Sequence, residues 1–257
     1  MGPFNLILAF DVYNIFPEYY WQIIMQYMPF IIFLELPVYI MQFTGILVYW
    51  AKKGQSFNLE IFPKVSCIIT CYSEGELVKN TIVCLAEQLY KGEIEIIPVI
   101  DGAASDKNQK TLKSVRAVEK TFGNYKNRAI LVVPKWQRGG RVSSLNAGLK
   151  FATGDIVMAL DADTSFDNDM VAKSVKYFLD PNVIAVSGAL RVRNAKKNLL
   201  TWLQALEYII SIHAGKVALA SFNIINNVSG AFGIFRTSMI RHIGGWDTGT
   251  AEDLDMT

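Results

Sequence analysis

From Trp21 to Trp50 the chain carries one charged residue, Glu35, in an otherwise apolar run. A helix needs roughly 20 such residues to cross a hydrocarbon core, and this run exceeds that. Tyr19, Tyr20 and Trp21 stand at one end and Tyr49 and Trp50 at the other, where interfacial aromatics belong, and Lys52 and Lys53 follow at once. The pattern predicts an N-terminal transmembrane helix within a membrane segment of residues 1–53, with the C-terminal portion in the cytoplasm. Pro29, Pro37 and Glu35 predict a kink, or a start delayed to about Ile31. A buried core helix broken by proline is the competing reading. No basic segment precedes the run and no small-residue cleavage site follows it, which argues against a cleaved signal peptide. Residues 1 to 20 are apolar but interrupted by Asp11, Pro17 and Glu18, and the pattern leaves open an interfacial helix or part of another span.

After a polar linker over residues 54–63, the period changes. Val65–Thr70, Ile94–Ile100, Ala129–Val133, Ile156–Leu160 and Val183–Val186 are short, mostly β-branched apolar runs of strand length. Between them Glu76–Leu89, Asn108–Phe122, Val142–Ala152 and Asn168–Leu179 carry apolar residues three and four apart. Leu77, Val78, Ile82, Leu85 and Leu89 mark one such face. Strands apolar throughout, alternating with helices, predict an α/β domain over residues 64–257. Its sheet is mainly parallel, with helices on both faces.

Composition sharpens this picture in two places. The chain of 257 residues is 51% hydrophobic, and the excess lies before residue 51. Its net charge is only +2, which removes the electrostatic case for nucleic-acid binding. Cys67, Cys71 and Cys84 lack metal-site spacing and a histidine cluster, so they are expected to be small apolar residues in a reducing compartment.

In open α/β sheets ligands bind beyond the carboxyl ends of the strands. Those ends carry Tyr72-Ser73-Glu74-Gly75, then Asp101-Gly102, then Lys135 to Arg141 with Gly139-Gly140, then Asp161-Ala162-Asp163. Two carboxylates two residues apart at a strand end suit one hard cation, Mg²⁺ or Mn²⁺, whose shell phosphate oxygens complete. Such a cation neutralises charge on a departing diphosphate. An isolated Asp-x-Asp is also common as a cap or turn. Arg141, at a helix start, suits the same diphosphate, with the first N–H groups of the helix assisting, or is a solvated surface arginine. Tyr72 and Asp101 suit a nucleobase, by stacking and by accepting an imide N–H, or are ordinary turn residues. Glu252 and Asp253 form an acidic cluster remote from the metal pair. One of them is a base for an attacking hydroxyl, or both are an acidic first helical turn.

These segments resemble family 2 glycosyltransferases. Val65-Ser66-Cys67-Ile68-Ile69-Thr70-Cys71-Tyr72-Ser73-Glu74 is similar to the opening strand of that family, usually Ile-Ile-Pro-x-Tyr-Asn-Glu. Val99 to Asp106 resembles Val-x-Asp-Asp-Gly-Ser-x-Asp, and Gly140 to Gly148 resembles Gly-Lys-x-x-Ala-Leu-Asn-x-Gly. Asp161-Ala162-Asp163 matches the metal motif. Val228 to Arg236, Gly244-Gly245-Trp246-Asp247 and Glu252-Asp253-Leu254-Asp255 are similar to the acceptor-side motifs of membrane synthases of cellulose, hyaluronan, chitin oligomers and poly-N-acetylglucosamine.

The resemblance implies a GT-A fold and a hexosyl- or N-acetylhexosaminyltransferase that moves sugar, with inversion, from a UDP-sugar to a growing β-linked glycan. It implies donor contacts from Tyr72, Glu74, Asp101, Arg141, Asp161 and Asp163, and metal binding by the last two. It also implies Asp253 with Glu252 as the catalytic pair, and acceptor contacts from Ser229, Gly230 and Trp246. The helix-like stretch Asn198–Ala220, with Glu207 and Tyr208, is expected near the acceptor. The enzyme is expected on the plasma or inner membrane, its catalytic domain cytoplasmic.

Two alternatives remain: a single addition to a lipid carrier or lipid-linked acceptor, and a silent scaffold that keeps the donor pocket. Thr70 stands for the usual proline, Ser73 for asparagine, Arg141 for lysine and Ala251 for threonine. A Gln-x-x-Arg-Trp motif and later helices would follow in the family, so the chain is expected to be the front part of a longer one, its glycosyltransferase domain incomplete at the C-terminus.

Overall fold

The computed structural model describes residues 18–52, 60–123, 125–225, 227–228 and 230–247. In chain order the elements begin with α1 (Glu18–Phe30), a π-helical stretch (Ile31–Glu35) and α2 (Leu36–Lys52). Next come β1 (Val65–Cys71), α3 (Leu77–Ala86), β2 (Ile94–Asp101), α4 (Asp106–Phe122), β3 (Arg128–Ile130) and β4 (Val133–Lys135). Then follow α5 (Gly140–Phe151), β5 (Ile156–Asp161), α6 (Met170–Val175) with a 3₁₀ turn (Lys176–Leu179), and β6 (Ala185–Ser187). The last are α7 (Leu199–Glu207), a second π stretch (Tyr208–Ala214), α8 (Gly215–Ala220), β7 (Phe232–Arg236) and α9 (Thr237–His242). They form two units. One holds the N-terminal helices with Ile209–Ile224, and the other holds the rest.

In the first unit the helix runs through the expected kink rather than ending there. Pro37 has no N–H to donate and its ring crowds the carbonyl four residues back, so an α-helical turn cannot form unperturbed at this point. The wider π turn absorbs the mismatch, with the Leu36 N–H reaching back to the Ile31 carbonyl. The result is one helix over Tyr20–Ala51, 32 residues long, long and apolar enough to cross a membrane. Its apolar side chains, Phe33, Phe43 and Leu47 among them, are exposed, which separates it from a buried core helix. Within this unit α8 packs along α2. A Cβ on Gly45 would collide with the Ala218 carbonyl, so the close approach requires glycine there.

In the second unit, seven strands among the described residues form one sheet of order β3-β2-β1-β5-β7-β6, with β4 also on β2. β1 pairs in parallel with β2 and β5, and β2 with β3 and β4. β1 and β2 are almost wholly buried, as strands covered on both faces must be, and the residues that made them legible fill two cores. Ile69, Ile82, Leu85, Ile96 and Leu160 are fully buried on one side; Ile68, Ile97 and Leu145 are on the other. Each stabilises the fold by about 1.5–3 kcal/mol relative to exposure.

Two expectations need correction. The strand predicted over Ala129–Val133 is two short strands, because Leu131 N–H bonds Ile96 and the chain steps along β2 before re-pairing at Val99. A further strand, β7, runs antiparallel between β5 and β6. The sheet is therefore mixed, though mainly parallel.

Candidate functional site

The strand order reverses between β1 and β5, so the chain departs in opposite directions from their adjacent carboxyl ends and leaves a crevice there. Thr70 of β1 pairs with Asp161 of β5, which fixes the two ends side by side. Beyond Thr70 the chain turns through Ser73 at φ 69°, a left-handed conformation unusual outside glycine. Asn108 Oδ1 accepts the Ser73 N–H at 2.7 Å, and Thr111 Oγ1 accepts the Gly75 N–H at 2.9 Å. The Asn108 amide also donates to the carbonyls of Asp101 and Gly102, at 2.8 and 3.1 Å. One buried side chain thus ties the loop after β1 to the loop after β2.

Glu74, presented by that turn, has an Oε2 atom shut off from solvent and without a hydrogen-bond partner. Burial raises its pKa, and Asp163 and Asp161 raise it further. Across the crevice, Ala162 is buried between Asp161 and the exposed Asp163. The Thr81 hydroxyl lies 2.7 and 2.8 Å from the carbonyls of Ala162 and Thr164, which moors this loop to α3. Arg141 Nε donates to Asp161 Oδ1 at 3.2 Å, and its Nη2 donates to the Gly230 carbonyl. The guanidinium therefore joins the end of β5 to the segment that leads into β7.

Asp101 is 3% exposed, and its carboxylate is already engaged. Oδ1 accepts from Lys135 Nζ at 2.7 Å and from Gly139 N–H at 2.9 Å, and Oδ2 from Gly140 N–H at 2.8 Å. Burial alone would raise its pKa; the donors from Lys135, Gly139 and Gly140 outweigh burial and hold it below the usual value. Two N–H groups at the start of α5 are thus taken up by Asp101. The Tyr72 ring is open to solvent on one side, and on another the Arg138 guanidinium lies 4.2 Å from its centroid.

Trp246 is 5% exposed and packs edge-on against Phe235 in the core, so its ring is not an open surface for an acceptor. Its backbone is gripped by Asn146, whose amide donates to the Trp246 carbonyl at 2.7 Å and accepts its N–H at 2.9 Å. Gly245 sits at φ 98°, where a Cβ would strike Asn146 Oδ1. Ser229, Glu252 and Asp253 lie outside the described residues. Sequence reasoning passed over Asn108, Lys135 and Asn146. Asn146 stands in a segment matched to a known motif, but an isolated buried asparagine or lysine has no pattern to reveal it. Cys67 and Cys71 are buried thiols, with burial pushing Cys67 up to about 12, and Cys84 is half-buried.

A parallel sheet reversing at β1/β5, with acidic and cationic side chains meeting at the reversal, defines a GT-A-like glycosyltransferase. The chain belongs to glycosyl transferase family 2, whose model matches residues 66–244. It is 30% identical over 207 residues to the poly-beta-1,6-N-acetyl-D-glucosamine synthase of Staphylococcus aureus (strain COL), a match covering 80% of this chain and 47% of that one. The synthase of the same name from Staphylococcus epidermidis is 30% identical over 228 residues, covering 85% of this chain and 52% of the relative. The chain thus spans about half the length of the curated relatives it matches. Among solved structures it is similar to the mannosyltransferase PcManGT from Pyrobaculum calidifontis in complex with GDP-Man and Mn²⁺. That likeness has a TM-score of 0.62 at 25% identity, over 85% of this chain and 60% of that one.

Proposed function

We propose that this chain is the donor-binding part of a membrane-anchored, inverting glycosyltransferase. It transfers sugar from a UDP-sugar to the end of a growing β-linked polysaccharide, with N-acetylglucosamine as the first sugar to test. The observation that carries the donor half is the crevice between β1 and β5. There Asp161, Asp163 and the partnerless buried oxygen of Glu74 concentrate negative charge, with Arg141 as the cation at hand.

These residues fit a divalent cation. The Glu74 oxygen lacks a donor and the two aspartates flank it electrostatically, which is an environment that a hard cation relieves. Asp161 and Asp163 would hold it. When bound, the cation neutralises the charge of a departing diphosphate. The neighbour crystallised with Mn²⁺ and a nucleotide-sugar supports the same reading.

The remaining roles belong to the chain's own groups. Arg141 turns toward the diphosphate and offers a forked donor pair. Tyr72 stacks on the base, and Asp101, with one lone-pair site still open beside its three donors, accepts the imide N–H. Asp253 takes the proton of the acceptor hydroxyl as that oxygen bonds the anomeric carbon. The bond from that carbon to the diphosphate breaks, and UDP leaves with the electron pair. Ser229 and Gly230 line the acceptor side.

The names of the staphylococcal relatives support N-acetylglucosamine, and the exposed apolar helix supports a membrane anchor with the sheet-bearing unit in the cytoplasm. The experiment is a donor panel with Mn²⁺ or Mg²⁺ in detergent or lipid, reading nucleotide release and product length. UDP-N-acetylglucosamine, UDP-glucose, UDP-glucuronate and GDP-mannose are the donors. Release from UDP-N-acetylglucosamine with lengthening product supports the proposal. Single additions favour transfer to a lipid-linked acceptor, binding without release favours a silent scaffold, and preference for GDP-mannose overturns the donor assignment.

A further inference from the structure

In the sheet-bearing unit, α7 is turned the wrong way for a protein in water. Thr201 and Ala205 are its half-buried positions, while Leu199, Leu200, Trp202, Leu203 and Leu206 are exposed, and no residue of the helix is buried. At 100° per residue Leu199, Leu203 and Leu206 form one stripe, bordered by Trp202; Thr201 and Ala205 face the opposite side. A soluble domain buries its leucines and leaves threonine to solvent, so this helix is inverted.

The inversion belongs to an ordered helix. The Asn198 side chain accepts the Thr201 N–H at 2.9 Å, and Thr201 Oγ1 accepts the Asn198 N–H at 3.1 Å, a reciprocal cap that fixes where the helix starts.

What the stripe faces is indicated at both ends. Arg191, Arg193, Lys196 and Lys197 precede the cap, all exposed, and no acidic residue intervenes before Glu207. After Glu207 the helix continues without a break through Tyr208–Ala214 into α8. α8 belongs to the unit of the membrane-length helix and packs along α2. A leucine stripe with a bordering tryptophan, entered from a cationic segment and left into that unit, is the chemistry of an anionic lipid surface.

We propose that α7 lies in the membrane–water interface. Leu199, Leu203, Leu206 and Trp202 reach the headgroup–acyl boundary, and Arg191, Arg193, Lys196 and Lys197 rest on anionic phospholipid headgroups. This surface is separate from the donor chemistry, and its test stands or falls without it.

The test uses the whole chain in lipid nanodiscs with Cys84→Ala, the other two cysteines being buried. A nitrobenzoxadiazole label is placed on Leu203→Cys or on Gln204→Cys. In discs of mixed phosphatidylglycerol and phosphatidylcholine, the label at 203 emits blue-shifted light. It loses about half its intensity when the acyl chains are brominated, as expected for a group seated roughly 5–10 Å into the boundary. The label at 204 does neither. In pure phosphatidylcholine, or with Arg191, Arg193, Lys196 and Lys197 all changed to Gln, quenching at 203 falls several-fold. Equal, solvent-like emission at both sites overturns the proposal. So does a blue-shifted label at 203 that bromine leaves untouched, because protein then covers the stripe. Quenching indifferent to anionic lipid overturns the headgroup assignment.

Discussion

Arg141 Nε donates to Asp161 Oδ1 at 3.2 Å, while the same guanidinium holds the Gly230 carbonyl. The one cation placed for a diphosphate is therefore also bound to a carboxylate proposed for the metal and to the segment entering β7. Arg141→Ala is expected to weaken UDP binding in Mn²⁺ about 10- to 100-fold, the loss of about 1.5–3 kcal/mol from charged hydrogen bonds. Arg141→Lys keeps the charge but loses the fork, and should fall between the two. Isothermal titration of UDP measures both; an unchanged affinity in Arg141→Ala contradicts the assignment.

Glu74 offers a second test, because its Oε2 is buried without a donor beside two further carboxylates. Glu74→Gln removes a charge that the ligand-free protein pays to bury. The variant should melt at a higher temperature than the parent without metal and gain less from Mn²⁺. Thermal melts with and without Mn²⁺ decide it, and an equal Mn²⁺ shift in both proteins removes Glu74 from the cation's surroundings.

At the opposite edge of the sheet, Arg128 is 8% exposed and donates to the carbonyls of Ala86, Gln88, Tyr90, Gly92 and Asn127. No other side chain offers five donors in that fork. Arg128→Met should cost roughly 3 kcal/mol or more, because several buried carbonyls lose their donors. Nucleotide affinity measured well below the melting point should stay unchanged, since these bonds lie away from the carboxyl ends of the strands.

Glu95 gives the stability a defined acid limb. Burial would raise its pKa, but hydrogen bonds from Lys64, Ser66 and Thr153 bring it from 4.5 to about 2. A carboxylate depressed in the folded state contributes stability above its unfolded pKa and loses that contribution as pH falls toward its folded one. The contribution should be complete above about pH 4.5 and fade toward pH 2. Glu95→Gln should lower stability at pH 6 while narrowing its gap to the parent at pH 3, as read by denaturant melts.

The parallel half of this fold was legible because β1, β2 and β5 are buried on both faces, and such strands must be apolar throughout. β7 was not legible. Phe232-Gly233-Ile234-Phe235-Arg236 is short, contains glycine, and owes its strand form to the slot between β5 and β6 rather than to its own pattern. The carboxylates and Arg141 could be proposed from their places at strand ends. The engagement of Asp101 by Lys135, Gly139 and Gly140, and the grip of Asn146 on Trp246, depend on contacts 34 to 100 residues apart that no local spacing encodes. The π-helical turn was half visible, since Pro29 and Pro37 marked the disturbance but not the form that relieves it.

The central claim is that Asp161 and Asp163 hold a divalent cation that binds the nucleotide diphosphate. Its most direct measurement is the affinity of the chain for UDP with and without Mn²⁺, in the parent and in the Asp161→Asn, Asp163→Asn double variant. Mn²⁺ should tighten UDP binding about tenfold or more in the parent, a difference of about 1.4 kcal/mol or greater, and leave the double variant unchanged. Equal tightening by Mn²⁺ in both proteins, or none in the parent, would contradict the account.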